Sequence, residues 1–236
     1  MSDRPIGPLV EGWTAPSVPE NIDLQGTHAR IVPLAPKYAS DLFESFDGND
    51  WVFDYLFEDP FQSVTAYAEW IAKVTQKSDP YFVAILDAGG VAIGAASFMR
   101  ITPAMGVIEV GNINITPRGQ RSTATTEAMF LMMQWAFENG YRRYEWKCNA
   151  LNAPSRRAAQ RFGFSFEGVF RRHMIVKGRN RDTAWFAITE DEWPALRRAY
   201  DTWLSSDNFN STGRQLRSLK ELTSDALVTR DPTVRT

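Results

Sequence analysis

The sequence predicts an α/β protein with a mixed sheet flanked by helices, and two observations lead to that class. Segments in which apolar residues alternate, the pattern of strands, recur between positions 29 and 189 of the 236-residue chain. Segments in which apolar residues recur three and four positions apart, the pattern of helices, lie between them. Short turns join most of the strands and a long helix joins one pair, so we expect a mostly antiparallel sheet with one parallel pair.

The first half of the chain begins with an apolar segment, residues 29–34, that predicts a strand. Residues 36–47 predict a helix, because large apolar side chains recur there at helical spacing. Residues 49–61 (NDWVFDYLFEDPF) are rich in aromatic side chains and too irregular for one element. A second helix is predicted over residues 63–75, with Ser63 as its N-cap.

The remaining elements follow from the same patterns, and glycines mark several of their ends. They are a hairpin over 81–87 and 91–101, a strand over 107–115, a helix over 123–139, a strand over 142–150, a helix over 154–162, a strand pair over 165–177 and 181–189, and a helix over 190–204.

The strand over residues 107–115 (VIEVGNINI) carries the first candidate site residue, Glu109. If the strand alternates without interruption, Glu109, Gly111, Ile113 and Ile115 share one face. A glycine inside a strand often marks a bulge, so Gly111 also indicates a local irregularity.

Three parts are expected along the chain. Residues 1–26 contain four prolines and three glycines and predict an extended arm. Residues 27–204 are expected to form one domain, and residues 205–236 a polar tail. The tail is long enough to wrap a second copy of the chain, so a homodimer is one expectation.

Charge and cysteine content narrow the classes of function. The formal net charge is −2, whereas proteins that bind nucleic acid through its phosphates are usually basic. The single cysteine, Cys148, excludes an internal disulfide and a zinc site built from several cysteines. Neither a signal peptide nor a transmembrane segment is predicted. We therefore expect a cytoplasmic protein without nucleic-acid, membrane or metal partners.

The turn after residues 107–115 has the features of an anion site. The next helix begins at Thr123, and the unpaired N–H groups and positive dipole end of a helix attract phosphate. Arg118 and Arg121 add positive charge. An ordinary turn with solvated arginines fits the same pattern, and both interpretations stay open at this point.

A second polar group follows the next predicted strand. Asn152 and Ser155 come directly after residues 142–150, at the start of a helix. Ligands of α/β sheets usually lie in a crevice at the carboxyl ends of neighbouring strands, which makes both side chains candidates for ligand binding. Helix capping is the alternative interpretation.

Three stretches of the chain resemble the GNAT acyltransferases, in particular their RimJ/RimL-like branch. Residues 120–128 (QRSTATTEA) look like the pyrophosphate loop of that branch. Residues 152–164 look like its Asn-x-x-Ser helix that ends in Gly-Phe, and residues 167–171 with 177–182 look like its closing hairpin.

The resemblance implies a GNAT fold, whose sheet splays apart between the fourth and fifth predicted strands and holds acetyl-CoA in the gap. Pantetheine would pair with the backbone near Ile113 and Ile115, and Asn152 would bind the coenzyme arm. Ser155 would help to protonate the leaving thiolate. The pyrophosphate would meet the loop residues Gln120, Arg121, Ser122, Thr123, Ala124 and Thr125.

The activity that the resemblance implies is transfer of an acetyl group from acetyl-CoA to a primary amine, by direct attack in a ternary complex. The amine belongs to a small molecule or to a protein N-terminus. It must lose a proton, and Glu109 is the candidate base. A solvent-facing carboxylate is the alternative interpretation of Glu109.

The aromatic segment is expected to line the acceptor pocket. Trp51, Asp54 and Tyr55 are its candidate substrate-binding residues, together with Glu109, because acidic groups suit a cationic amine. Core packing is the alternative for the aromatic side chains. The sequence does not specify which amine is the acceptor.

Other features keep different functions open. Thr123 and Thr125 stand where the family has Gly and then Gly or Ala, which let the backbone approach a phosphate closely. A module that senses acyl-CoA without turnover is therefore a second hypothesis. Two arginine pairs are candidates for holding the coenzyme's 3'-phosphate or an acidic acceptor, or for solvated charges, and they are Arg156-Arg157 and Arg171-Arg172. Cys148 is a candidate acyl carrier or a core residue.

Overall fold

Eight strands form one sheet in the computed structural model, which describes residues 6–212 and 214–234. The strands are Leu24–Gln25 (β1), Ala29–Pro33 (β2), Tyr81–Asp87 (β3), Ala92–Thr102 (β4), Val107–Ile115 (β5), Arg143–Asn149 (β6), Ser165–Val176 (β7) and Arg179–Thr189 (β8). Their order in the sheet is β1-β2-β3-β4-β5-β6-β8-β7. All neighbours are antiparallel except β5 and β6, which are parallel. The predicted mixed, mostly antiparallel sheet is confirmed.

Helices cover both faces of the sheet. They are Ala39–Phe46 (α1), Val64–Val74 (α2), Thr123–Glu138 (α3), Ala153–Arg161 (α4), Trp193–Leu204 (α5) and Leu219–Thr223 (α6). One apolar cluster, which includes Leu42 and Ile71, lies under α1 and α2. A larger cluster, which includes Met132 and Tyr200, lies under α3 and α5. No helix within the described residues is long and apolar enough to cross a bilayer.

The parallel strands β5 and β6 part halfway along their length. They pair only from Val107 to Val110 on β5 and from Arg143 to Trp146 on β6. Beyond these residues each strand keeps its other neighbour, β4 or β8, and the facing edges separate. The predicted splay between these two strands is confirmed. In the described part of the chain, the splay leaves backbone N–H and C=O groups along both facing edges without a strand partner.

A bulge in β5 overturns the prediction that Glu109 shares a face with Ile113 and Ile115. The register with β4 shifts so that two residues of β5, Asn112 and Ile113, stand opposite one residue of β4, Ala96, and Asn112 takes a left-handed backbone with φ of 49°. The extra residue reverses the alternation. Ile113 and Ile115 therefore pack on the larger core, under α3, while Glu109 lies on the opposite face.

Both ends of the described chain pack on the rest of the protein. The indole N–H of Trp13 donates to the carbonyl of Gly140 (3.1 Å), and the hydroxyl of Tyr141 donates to the carbonyl of Ser17 (3.0 Å). The C-terminal segment forms α6 and brings Asp231, which is buried, back to α4. Residues 1–5 of the predicted arm, and residues 213, 235 and 236 of the predicted tail, lie outside the described residues. The division into arm, domain and tail stays a prediction.

Candidate active site

A cavity of about 110 Å³ lies where β5 and β6 part. The bulge of β5, the end of β6, the start of α4 and the aromatic segment all contribute to its wall. Five of the residues selected from the sequence line this cavity together, and they are Tyr55, Glu109, Ile113, Asn152 and Ser155.

Glu109 is buried and ion-paired. Its Oε2 accepts hydrogen bonds from the guanidinium of Arg100 (2.6 Å) and from Nζ of Lys147 (2.7 Å). Only 3% of its side chain is exposed, so the alternative of a solvent-facing carboxylate is wrong. Its Oε1 has no hydrogen-bond partner within residues 6–212 and 214–234.

Lys147 connects Glu109 to a chain of charges across the sheet. It also donates to Glu145 (2.6 Å), which accepts from Arg143 (2.7 Å). Burial raises the pKa of Glu145, but the hydrogen bonds from Lys147 and Arg143 outweigh it and hold the pKa below its ordinary value. The network keeps Glu145 charged and fixes Lys147, and through it Glu109, in place.

Neither Arg100 nor Lys147 was among the residues selected from the sequence. The available signal was a pair of charged residues, Glu145 and Lys147, inside a predicted strand. Charges at such positions are rarely buried unless they are paired, so the pattern indicates a buried ion network.

The start of α4 brings Asn152 and Ser155 to the cavity. The side-chain oxygen of Asn152 caps the helix by accepting from the N–H of Ser155 (3.0 Å). Capping therefore occupies this oxygen but leaves the NH₂ group of Asn152 as a donor. Ser155 Oγ accepts from the indole of Trp146 (3.0 Å), and its own O–H group remains as a donor.

Cys148 also lies on the cavity wall, and its thiol is buried. Burial raises the pKa of Cys148 to about 11. The thiolate, which is the nucleophilic form, is thus scarce near neutral pH. This agrees with the interpretation of Cys148 as a core residue.

The turn before α3 is organised around its N-cap, Ser122. Its Oγ accepts from the N–H of Thr125 (3.0 Å) and donates to the carbonyl of Gly119 (2.7 Å). The N–H of Ser122 itself donates to the same carbonyl. In the described chain, the N–H groups of Thr123 and Ala124 have no partner, so these two amides remain for an anion.

Two other loop residues have local roles. Gln120 donates from its side-chain amide to the carbonyl of Ile115 (3.3 Å), which ties the loop to the end of β5. Arg121 takes a left-handed backbone with φ of 59° directly before the N-cap. Arg118, in contrast, is ion-paired with Asp87 (2.5 Å) outside the helix start.

Glu127, in the Thr-Glu-Ala part of the loop motif, anchors the start of β2. Its buried carboxylate accepts the backbone N–H groups of Thr27, His28 and Ala29 at 2.6 to 2.9 Å. A Cβ at Gly26 would stand 2.4 Å from this carboxylate, so the close approach requires glycine. This motif residue thus positions α3 against the sheet.

The aromatic segment forms part of a second cavity, of about 490 Å³, which Trp51, Asp54 and Tyr55 line. Tyr55 and Arg181 line both cavities, so the two adjoin. Trp51 is 54% exposed, so core packing is wrong for it, whereas Phe53 is buried in the core.

The hairpin of β7 and β8 holds the aromatic segment in place. Lys177, at its tip, donates to the carbonyls of Phe53 (3.0 Å) and Glu58 (2.6 Å) and pairs with Asp59 (3.1 Å). The hydroxyl of Tyr55 donates to the carbonyl of Leu151 (3.2 Å), beyond the end of β6. The wall of the second cavity is therefore fixed from two sides.

Arg156 is not a solvated charge, which was one of the interpretations that the sequence left open. It is buried, and its guanidinium makes a two-pronged ion pair with Asp231 (2.6 and 2.7 Å). A further N–H donates to the carbonyl of Ala150 (2.8 Å). These bonds engage three of its five N–H groups, so its role is to attach the C-terminal segment to α4.

Comparison with known proteins places this geometry in a family. The model of the GNAT acetyltransferase domain matches residues 29–165, more than half of the chain. A GCN5-related N-acetyltransferase from Brucella melitensis is 46% identical, with a TM-score of 0.87 over 91% of this chain and 100% of that one. A probable acetyltransferase of the GNAT family from Chromobacterium violaceum is 36% identical, with a TM-score of 0.77 over 83% of this chain and 100% of that one.

A more distant structure shares the fold. The microcin C7 self-immunity acetyltransferase MccE, whose structure contains acetyl-CoA and AMP, is 22% identical, with a TM-score of 0.62 over 70% of this chain and 93% of that one. No curated protein matches the chain.

The family match confirms the resemblance found in the sequence, and the splayed strands β5 and β6 agree with it. The cavity between these strands is lined by a carboxylate, a hydroxyl and a free amide donor, which suits transfer of an acyl group to an amine. The chain belongs to the GNAT acetyltransferase family and is an acetyl-CoA-dependent N-acetyltransferase.

Proposed function

We propose that the protein transfers the acetyl group of acetyl-CoA directly to a primary amine, within a ternary complex at the gap between β5 and β6. The observation that carries the proposal is the meeting of Glu109, Asn152 and Ser155 in one cavity that adjoins a second. The first cavity would receive the thioester and the second would deliver the amine, which belongs to a small molecule or a protein N-terminus.

The coenzyme would bind through groups that lack partners within the described chain. The unpaired edge of β5 near Ile113 and Ile115 would pair with the pantetheine amides as an added strand does. The N–H groups of Thr123 and Ala124 would bind the pyrophosphate at the start of α3. The NH₂ group of Asn152 would donate to the pantetheine arm.

Glu109 and Ser155 would carry the proton transfers. An alkylamine has a pKa near 10, so it must lose a proton before it can attack. We assign that proton to Oε1 of Glu109, directly or through one water, because Oε2 is occupied by Arg100 and Lys147. Attack forms the amide C–N bond and breaks the C–S bond. The nitrogen then loses its second proton, which would pass through water to the oxygen of Ser155 as the hydroxyl of Ser155 gives its own proton to the departing thiolate.

The state of Cys148 supports direct attack over an acyl-enzyme. Burial raises the pKa of this thiol to about 11, so its nucleophilic thiolate is a minor form near neutral pH. A covalent relay through Cys148 would begin from this minor form. Direct attack predicts that the protein carries no acetyl group on Cys148 after incubation with acetyl-CoA, which mass spectrometry of the intact chain tests.

The experiment that tests the function combines calorimetry with acetyl-CoA and thiol release against a panel of primary amines. Binding together with amine-dependent release supports the proposal. Binding without release from any amine favours the sensor, a hypothesis that rests on Thr123 and Thr125 in the loop. Absence of binding contradicts both. A cytoplasmic location and a homodimer belong to the proposal as well, and sedimentation of the purified chain tests the dimer.

A further inference from the structure

Arg181, on β8, is a buried cation without an acidic partner among the residues that the structure describes. The residue is 8% exposed, and its Nε donates to Oγ1 of Thr183 (3.2 Å). Within residues 6–212 and 214–234, no carboxylate lies at ion-pair distance from it, and its two terminal NH₂ groups have no hydrogen-bond acceptor. In contrast, the buried Lys147 contacts Glu109 and Glu145.

The position of Arg181 connects its unpaired charge with ligand binding. It lines both the thioester cavity and the acceptor cavity, at the place where they adjoin. The ring of Phe57 lies 5.6 Å from its guanidinium carbon and shields it on one side. Burying a charge without a partner is costly, and burial lowers the pKa of Arg181. A bound anion would offset that cost.

The neighbouring charges indicate where each end of an acceptor would lie. The acceptor cavity carries acidic groups on the aromatic segment, but Asp59 is already paired with Lys177. The carboxylate of Glu109 stands in the thioester cavity, where the attacking amine must arrive. A molecule with an amine and an anionic group therefore meets a complementary charge at each end.

We propose that the acetyl acceptor carries an anionic group, a carboxylate or a phosphate, that Arg181 binds while the amine of the acceptor faces Glu109. This inference rests on the proposed function and specifies its substrate class. A guanidinium fork suits either anion, because both offer two oxygens to parallel N–H groups. Amino acids, aminoalkyl phosphates and peptides with an acidic first residue belong to this class.

The test uses matched pairs of amines that differ in the anion. One pair is phenethylamine and phenylalanine, and another is ethanolamine and O-phosphoethanolamine. Calorimetry measures the binding of each to the full chain saturated with CoA, and thiol release gives kcat and KM with acetyl-CoA. We expect at least one anionic member to bind about tenfold or more tightly than its neutral partner. The pair that shows the preference identifies the anion as carboxylate or phosphate.

Variants assign the preference to Arg181. Arg181→Gln is expected to remove the preference, mainly through KM, and Arg181→Lys to keep part of it. Arg198→Gln removes an exposed arginine on α5 that lines neither cavity, and it should leave the preference intact. Circular dichroism checks that each variant folds. If Arg181→Gln does not fold, a reduced preference for the anionic amines in Arg181→Lys tests the inference instead.

The outcomes separate this inference from the proposed function. Amine turnover without any preference for an anion, or a preference that survives Arg181→Gln, overturns the inference and leaves the function standing. Binding of an anionic amine that depends on Arg181, with no thiol release from any member, supports the site and contradicts the enzyme. Failure of every anionic member to bind overturns the inference.

Discussion

At the residue scale, Glu109 owes its position to the cations that surround one of its oxygens. Burial of an unpaired carboxylate is costly, and Arg100 and Lys147 offset that cost on Oε2 while Oε1 stays unbound within the described chain. The resemblance of the sequence to the GNAT acyltransferases indicated Glu109, but its two cationic partners lie 9 residues before and 38 residues after it. Only the registers of β4, β5 and β6 bring them together, and a single sequence does not reveal these registers.

The proton-acceptor role of Glu109 predicts a specific kinetic effect. Glu109→Gln keeps the shape of the side chain but removes its basic oxygen, so kcat should fall about a hundredfold or more. Affinity for acetyl-CoA should change less than kcat, because the coenzyme would bind through other groups. Steady-state kinetics and calorimetry measure the two effects. Glu145→Gln is the matched control, because it also removes a carboxylate that accepts a hydrogen bond from Lys147, but Glu145 does not line the cavity. Equal losses in both variants would contradict the role.

Asn152 has two separable functions in its side chain, a capping oxygen and a donor NH₂ group. Asn152→Ala should lower the free energy of unfolding by about 0.5–2 kcal/mol through loss of the cap. It should also weaken acetyl-CoA binding. Asn152→Ser keeps a capping oxygen but lacks the amide donor, so stability should recover while binding stays weak. Chemical denaturation and calorimetry distinguish the two, and recovery of binding in the Ser variant would assign Asn152 to capping alone.

At the scale of elements, hydrophobic patterns predicted the positions of the strands closely. They did not predict which face a side chain takes where a bulge interrupts the two-residue alternation of a strand. The strands over 81–87 and 107–115 match their predicted ranges. Gly111 indicated the bulge in the strand over 107–115, but the exact position of the bulge decides on which face of the sheet each side chain lies. The left-handed residue is Asn112, so the face reverses between Glu109 and Ile113. Local patterns identify such a bulge, whereas pairing with β4 determines its place.

The start of α3 gives a prediction about a whole element. Ser122→Ala removes the cap of the helix and its bond to Gly119, which together orient the amides of Thr123 and Ala124. Stability should fall by about 0.5–2 kcal/mol, and acetyl-CoA affinity should fall as well. Ser63→Ala is the matched control, because Ser63 caps α2 in the same way, by accepting from Ala66. The Ser63→Ala variant should lose similar stability and keep its affinity for acetyl-CoA. If both variants lose this affinity, the loss in Ser122→Ala is not evidence that the start of α3 binds the pyrophosphate.

At the scale of the whole molecule, the order of elements and the splay were predictable because each depends on local period and chain connection. The packing of the C-terminal segment was not. Its polar composition indicated a tail, yet Asp231 meets Arg156 across 75 residues of sequence. A charged residue in a polar segment looks solvated, and only the completed fold shows that the carboxylate of Asp231 is buried. In the completed fold, Arg156 attaches the C-terminal segment to α4 through this ion pair.

This attachment predicts how stability depends on pH. Burial raises the pKa of Asp231, but hydrogen bonds from Arg156 and Thr233 outweigh it and hold the pKa below its ordinary value. A carboxyl group of this kind stabilises the fold at pH values above its unfolded pKa of about 3.9, and the contribution is lost as pH falls through the lower folded value. Asp231→Asn leaves Arg156 buried without its anion, which should cost about 3–5 kcal/mol at pH 7.

Urea denaturation of wild type and Asp231→Asn between pH 7 and pH 3 measures that cost directly. The difference between the two should be largest at neutral pH and should shrink below about pH 4, because protonation then removes the same charge from the wild type. Glu221→Gln breaks the exposed pair with Arg217 on the same segment, and it should change stability by less than about 0.5 kcal/mol at either pH. A constant difference across the range would mean that Asp231 contributes by shape and hydrogen bonding rather than by its charge.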